Sequence, residues 1–436
     1  MRKVTYEDII LLFVNDKTMI YLLVFLTNIC MICLYREEDS MEYLSLYKAN
    51  YINDTDEKKL YKDRFNSKNT VHFPIHILEY PSFLCINTEL MVLLQNIQLL
   101  NTQIIRKRAD ATAPLIRTWE LYNPFVEEII SSNEIEGVVS TRKKITELIN
   151  IEKTKEYKRF YGMVKKYEDI FFQEKEFTPI SDISKLRELY NDILLVDIER
   201  DNPDNIPDGG FFRKEIVNVV SSTKTIHRGL YPESKIIEAM NSALSILNDN
   251  SLPYIVRAAV FHYFFGYIHP FYDGNGRLSR YISSYYLSKV LDSIAALRLS
   301  IACKNRQKDY YEAFKITNDV RNKGDITYFV LQFLDILKTG LKNYLDDLTN
   351  KVDQYHYYKK KQSELDLVNS SKSILEIVIE YTMFYLEPIT LSKLVELTHL
   401  SKSTVSNRLS KLEKDGLVEK SKHGKNCLFY FKKNSL

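Results

Sequence analysis

A mainly α chain is the fold class this sequence predicts: a helical bundle interrupted by one β-hairpin and followed by a small C-terminal helix–turn–helix. The run Tyr254 to Ile268 is apolar all round, as a buried helix is, and it stops at His269-Pro270. After Gly209-Gly210-Phe211-Phe212-Arg213, the short apolar-rich runs Glu215 to Val220 and Thr225-Ile226-His227 flank the polar turn Ser221-Ser222-Thr223-Lys224, which reads as a hairpin. From Glu387 onward two helical patterns stand on either side of a turn at Leu400-Ser401.

Taken from the N-terminus, the uncharged run Met19 to Tyr35 sits at the lower length limit for crossing a bilayer and is followed by Arg36-Glu37-Glu38-Asp39. Residues 1–40 are therefore a leader with three readings. Translation starting at Met41 is preferred over a membrane anchor through residues 19–35 or a buried helix, because positive flanking charge is slight and no small-residue cleavage site follows. Residues 41–150 read as a helical region with Leu and Ile repeats from Glu89 to Ile105. Within it, Asn123 as cap, Pro124 at the first helical position and Gly137 as terminator outline a helix over about 124–136. Residues 151–342 form the core, 343–370 a connecting helix and hinge, and 371–436 the terminal module. Before the helix at Tyr254, Ser251 is the expected cap, with Pro253 in the first turn.

Composition excludes some partners. Across 436 residues, 45% hydrophobic with 27% charged is ordinary for a globular protein, and 60 Lys and Arg against 57 Asp and Glu leave no global attraction for polyanions. Any basic surface is local. Five scattered cysteines argue against a disulfide framework and for a reducing, cytoplasmic setting, and Cys30-x-x-Cys33 lacks the second half a zinc site needs. Membrane association is not expected.

Chemistry concentrates in His269-Pro270-Phe271-Tyr272-Asp273-Gly274-Asn275-Gly276-Arg277-Leu278-Ser279-Arg280. Gly274 and Gly276 let the backbone turn and approach an anion, and a helix starting near Asn275 aims free N–H groups and its positive dipole end at that anion. Arg277 and Arg280, three apart, can hold successive phosphates from one side. Asp273 suits Mg²⁺ held against those phosphates, and His269 at the mouth of the loop suits a general base.

This run resembles the Fic family signature, His-Pro-Phe-x-Asp/Glu-Gly-Asn-Gly-Arg-x-x-Arg, at every fixed position. The resemblance implies a Fic-type helical bundle with a β-hairpin flap, and a nucleotidyltransferase that moves AMP from Mg-ATP, the donor substrate, to a Ser, Thr or Tyr hydroxyl of a protein, self-modification included. It implies His269 as base, Asp273 as metal ligand, Gly274, Asn275 and Gly276 as phosphate cradle, and Arg277 and Arg280 on the β- and γ-phosphates. Phe271 is similar to the position that packs into the core and pins the loop. Ser132 and Glu136, within Ser131 to Gly137, resemble an inhibitory motif whose glutamate reaches the second signature arginine, here Arg280. A carboxylate there removes the charge that orients a triphosphate and repels it. The hairpin resembles the Fic flap, which clamps the target by strand addition, with Ile226 and His227 near nucleotide and target. Tyr310, Tyr311 and Asn318 are similar to a Tyr-Tyr element and asparagine that line the nucleotide pocket in some relatives.

The terminal module resembles a small C-terminal winged helix. Ser401 caps its second helix, Val405, Leu409 and Leu412 form the core side, and Lys402, Ser403, Ser406 and Asn407 face outward. Lys422 and Lys425 sit on a basic loop between two strand-like runs. Nine Lys and Arg against three Asp and Glu over 401–433 suit double-stranded DNA, with dimerisation or partner docking the other use of such a module. A homodimer is a common form of such binders.

Three functions compete: an autoinhibited protein adenylyltransferase carrying a DNA-binding tail; a DNA-binding transcription regulator whose core senses a nucleotide; and an enzyme removing AMP, with Glu136 positioning water. His269 favours an enzyme over a sensor, because a sensor needs the phosphate cradle but not the base.

Overall fold

The computed structural model describes residues 43–436 except 53–54, 111–112, 150, 152–157, 173–175, 222–223, 386–387, 424–425 and 434–436. The leader, Met41 and the Cys30/Cys33 pair lie outside the described residues. Helices dominate, and the β structure of the described residues is confined to small antiparallel sheets.

The first sheet corrects the expectation of a purely helical 41–150 region. Strands β1 (Thr70–Ile77) and β2 (Tyr80–Cys85) pair as a hairpin. Phe73, Ile75 and Ile77 are buried while His72, Pro74 and His76 are exposed, the period-two pattern of a strand with one face on the core. The register shifts between His72 and His76, across Pro74, which has no N–H to give a ladder. Helix α1 (Thr88–Ala109) follows, capped by Asn87, whose side chain accepts from Leu90 N at 2.8 Å. Its buried Leu90, Leu93, Ile97 and Ile104 recur at helical spacing.

A second correction concerns residues 113–136. Helix α2 (Ala113–Glu120) runs through a π turn (Leu121–Phe125) straight into α3 (Val126–Ile135). Asn123 therefore caps nothing. Its side-chain amide donates back to Trp119 O at 3.1 Å, and Pro124 lies inside the helix rather than at its start. A proline ring clashes with the carbonyl four residues back and offers no N–H, and widening the turn by one residue accommodates both defects without breaking the helix. Glu120, at the junction, is wholly buried and accepts from Arg108 Nη2 at 2.8 Å and from the Tyr344 hydroxyl.

Helices α4 (Tyr161–Phe172) and α5 (Ile183–Tyr190) lead to the second hairpin, β3 (Asn218–Ser221) and β4 (Lys224–Arg228). Helix α6 (Glu233–Asn248) then packs against α7 (Tyr254–Ile268), which packs in turn against α8 (Asn275–Leu287). Ser251 does not cap α7: its hydroxyl donates to Asp249 Oδ2 at 2.6 Å, and Pro253 occupies the cap position with no side-chain bond to the first turn. A missing cap costs α7 little, because nearly all of its side chains are buried and packing holds it.

Helices α9 (Leu299–Asn305) and α10 (Gln307–Thr317) close the bundle before α11 (Thr327–Glu364), a 38-residue rod that packs along α1 and passes unbroken through 342–343. The chain reverses over Leu365 to Val368 into α12 (Asn369–Phe384). The terminal module adds β5 (Ile389–Thr390), α13 (Leu391–Thr398), α14 (Lys402–Lys414), β6 (Val418–His423) and β7 (Asn426–Phe431), with sheet order β5-β7-β6. Ser401 caps α14 through Thr404 N at 3.2 Å, and Val405, Leu409 and Leu412 are buried. This module packs on the rest of the chain: Lys351 Nζ donates to Met383 O at 2.9 Å and lies over the Trp119 and Phe384 rings. Among the described residues no helix is long and apolar enough to cross a membrane.

Candidate functional site

The loop between α7 and α8 is built by its own residues. His269 ends α7 in the left-handed conformation (φ 53°), its N–H bonded to Phe265 O at 2.9 Å. Phe271, wholly buried, stacks on Tyr190 with ring centroids 3.8 Å apart and meets Phe212 edge-on. This fits the expected pinning role. The Asn275 side chain accepts from Phe271 N at 3.0 Å and donates to Phe271 O at 2.8 Å, so it clasps the loop shut. Its amide is spent on loop shape rather than on the cradle, which leaves the backbone N–H groups of the α8 start for an anion. Gly274 (φ 80°) allows the turn, and a Cβ there would stand 2.6 Å from Leu194 Cδ1.

Arg277 and Arg280 both lie on α8 and both are buried, at 2% and 0% exposed. Arg277 Nη2 pairs with Asp273 Oδ1 at 3.2 Å. Arg280 Nε donates to Ser132 Oγ at 3.2 Å, and its Nη2 donates to Ser132 O at 2.8 Å and to Glu136 Oε1 at 3.0 Å. Burial works against the Arg280 charge, but the Glu136 carboxylate together with Tyr310, Cys303 and Tyr167 outweighs it and holds the guanidinium above its ordinary range. Glu136 also lies directly over Gly276: a Cβ on that glycine would come within 1.9 Å of Glu136 Oε1. The structure thus brings Ser132, Glu136, Gly276 and Arg280 together across nearly 150 residues of chain.

Two donor atoms outline a candidate anion seat. Arg277 Nε and Arg280 Nη1 are buried without a hydrogen-bond partner among the described residues. Such orphans are costly unless a ligand meets them, and phosphate oxygens suit them. Asp273 adds one hard carboxylate beside this seat, the donor set that Mg²⁺ uses when phosphates complete its shell. Among the described residues no group of three or more His, Cys, Asp or Glu could hold a metal unaided.

Tyr311, on α10, donates its hydroxyl to Ile135 O at 3.2 Å, and burial followed by the Glu136 charge raises its pKa. Tyr310 is corrected from lining residue to core residue: it is 4% exposed and its hydroxyl meets His262 Nε2 at 2.7 Å. Helical geometry turns one of two adjacent tyrosines inward. Asn318 accepts from the Tyr263 hydroxyl at 2.8 Å and lines a cleft of about 820 Å³ together with His76, Arg228, Tyr231 and Lys235. Ile226 and His227 belong to β4, with His227 opposite Val219. Lys402, Ser403, Ser406 and Asn407 are exposed on α14, far along the chain in the terminal module; Lys422 is exposed on β6, and Lys425 lies outside the described residues.

Arg213 and Glu233 escaped the sequence reading. Glu233 accepts from Phe211 N at 2.8 Å, Phe212 N at 2.9 Å and Gly210 N at 3.2 Å, shaping the Gly209-Gly210 turn that delivers Arg213 to the loop. The paired glycines before Phe211 were the available signal.

Residues 181–287 match the Fic/DOC family and residues 376–426 match the MarR family. The chain is 32% identical over 138 residues to a protein adenylyltransferase Fic of Drosophila mojavensis, covering 32% of this chain and 25% of that protein. It is 36% identical over 96 residues to the protein of the same name from Drosophila grimshawi, covering 22% of this chain and 18% of that one. The chain thus spans a quarter or less of these curated relatives. A crystal structure of a Fic family protein from Desulfovibrio desulfuricans G20 shares the fold with a TM-score of 0.50 and 19% identity, over 80% of this chain and 97% of that one. This chain carries a Fic domain and, at its C-terminus, a MarR-type winged helix.

Proposed function

We propose that the chain is an autoinhibited protein adenylyltransferase that moves AMP from Mg-ATP to a Ser, Thr or Tyr hydroxyl of a protein, itself included. The observation that carries this reading is the Glu136 carboxylate bound to buried Arg280 over Gly276, at the start of α8. An anion already occupies the place where a terminal phosphate would meet the helix N-terminus and the second arginine. The orphaned Arg277 Nε and Arg280 Nη1 await further oxygens.

With the triphosphate seated there, Arg277 and Arg280 hold its β- and γ-phosphates, and loop-bound His269 takes the proton of the target hydroxyl. The hydroxyl oxygen forms its bond to the α-phosphorus, the bond from that phosphorus to the bridging oxygen breaks, and pyrophosphate leaves. A magnesium ion held by Asp273 would screen phosphate charge. Glu136 denies the γ-phosphate its place, so turnover waits on its withdrawal.

The test is intact mass after incubation with Mg-ATP, comparing wild type, Glu136→Gly, and Glu136→Gly with His269→Ala. AMP addition in the single variant and none in the double supports transfer, brake and base together. ATP binding without any added mass in the single variant favours a second reading, a nucleotide-sensing DNA-binding regulator. The packing of α12 against α2, the helix that continues to Glu136, is the observation behind that alternative.

A further inference from the structure

We infer that Arg213 is a positioning residue that holds His269 in its left-handed conformation and locks the β3–β4 hairpin to the catalytic loop. This rests on the adenylyltransferase reading above and adds to it how base and target platform are held in one frame.

Arg213 is 0% exposed, and no carboxylate pairs with it among the described residues. A buried guanidinium without a counter-charge is expensive, and burial lowers its pKa. Its charge is met by main-chain oxygens instead. Nε donates to His269 O at 2.8 Å, Nη2 to Leu230 O at 2.9 Å and to Ile268 O at 3.4 Å, and Nη1 to Glu215 O at 2.6 Å. The Arg213 N–H donates to Pro270 O at 3.1 Å.

These acceptors belong to two structures. Ile268 and His269 are the end of α7, whose last carbonyls lack helical partners and carry the negative end of the dipole, so a cation is favoured there. Glu215 and Leu230 are the two stems of the hairpin, which Leu230 N to Ile268 O (3.1 Å) and Gly229 N to Val217 O (3.0 Å) join further. One side chain therefore ties both hairpin stems to the backbone of the residue that would take the target proton.

His269 needs holding. A non-glycine residue with φ near +53° is strained and persists when its surroundings impose it. Gly229 shows how closely the stem approaches: a Cβ there would lie 2.4 Å from Arg213 Nη2 and 3.1 Å from His269 Cβ. The phosphate-facing arginines are anchored elsewhere: Arg277 and Arg280 lie on α8, and among the described residues their hydrogen bonds go to Asp273, Ser132 and Glu136 rather than to either stem.

The decisive experiment combines kinetics with a direct view of His269. In the Glu136→Gly background, Arg213→Met, Arg213→Lys and Gly229→Ala are compared for kcat and for KM of ATP in self-modification. In parallel the imidazole signal of His269 is followed by NMR in protein labelled at histidine and assigned by loss in His269→Ala. Expected for Arg213→Met is a fall in kcat of about 10²-fold, the cost of misplacing a reacting group by about 1 Å, with KM for ATP within about threefold. The His269 signal shifts or broadens, and Arg213→Lys recovers part of both because it keeps the charge but not the fork. Gly229→Ala reproduces the pattern sterically and serves if Arg213→Met does not fold. An unmoved His269 signal in the folded variants overturns the inference, whether or not the enzyme turns over. Absence of AMP addition in the Glu136→Gly reference defeats the proposed function instead, and the NMR comparison still decides Arg213.

Discussion

The Glu136 carboxylate binds wholly buried Arg280 at 3.0 Å while Ser132, one helical turn earlier, binds the same guanidinium twice, through its hydroxyl and its carbonyl. The two partners are not equivalent. Glu136 sits at the C-terminal end of α3 with its side chain 26% exposed, so it can leave without disturbing the core, whereas Ser132 is buried.

Glu136→Gly should therefore raise AMP incorporation by about 5- to 150-fold, the range of typical coupling energies, and should lower stability by about 3 kcal/mol, because buried Arg280 loses its counter-charge. Ser132→Ala should instead cost about 1–2 kcal/mol in urea unfolding, because a buried guanidinium N–H loses an acceptor, and should release much less activity. Equal activation by the two substitutions would contradict the division of labour.

Gly276→Ala separates seat from brake. The added methyl would displace the Glu136 carboxylate, yet it would also stand 2.9 Å from Arg280 Nη1. Calorimetric titration with ATP should show about tenfold or greater weakening relative to Glu136→Gly, both with and without Glu136, as an extra group forces its way into a fitted site. Binding as tight as that of Glu136→Gly would move the phosphate away from Gly276.

Behind α8, buried His262 meets Ser283 Oγ at 2.9 Å and the Tyr310 hydroxyl at 2.7 Å, and burial followed by the Arg280 charge lowers its pKa to about 3. The unfolded chain binds a proton here near pH 6.5 and the folded protein does not until about pH 3, so this group removes stability as pH falls through that window. At pH 5 the loss is about 2 kcal/mol relative to neutral pH. His262→Gln, less stable at pH 7, should show a flatter dependence between pH 6.5 and 5 in denaturant titrations.

On the winged module, Lys402 opens α14 and Lys422 lies on β6, both exposed. If they contact phosphates, each Lys→Ala change should lower the slope of log affinity against log salt by about 1 on a random-sequence DNA duplex, measured by fluorescence anisotropy. Ser406 and Asn407 changes should alter sequence preference at constant slope. Binding that ignores salt would assign the module to protein docking.

What the sequence determined by itself was local. The loop His269 to Arg280, the helices on either side of it, the flap hairpin and the Ser401-capped helix were all legible, because caps, glycine turns and hydrophobic period act within a few residues. The β1–β2 hairpin was legible too, in the alternation of Phe73, Ile75 and Ile77, but Pro74 disguised it. The continuous α2–α3 helix was not: Asn123-Pro124 spells a helix start, and only packing around buried Glu120 and Phe125 carries the chain through as a π turn. Tertiary structure alone decided which side chains meet over long separations. It turned Tyr310 inward to His262, set Glu136 over Gly276, and brought Arg213 to the end of α7. Those contacts depend on how helices pack, and a buried charge satisfied by distant carbonyls leaves no periodic trace in the chain that carries it.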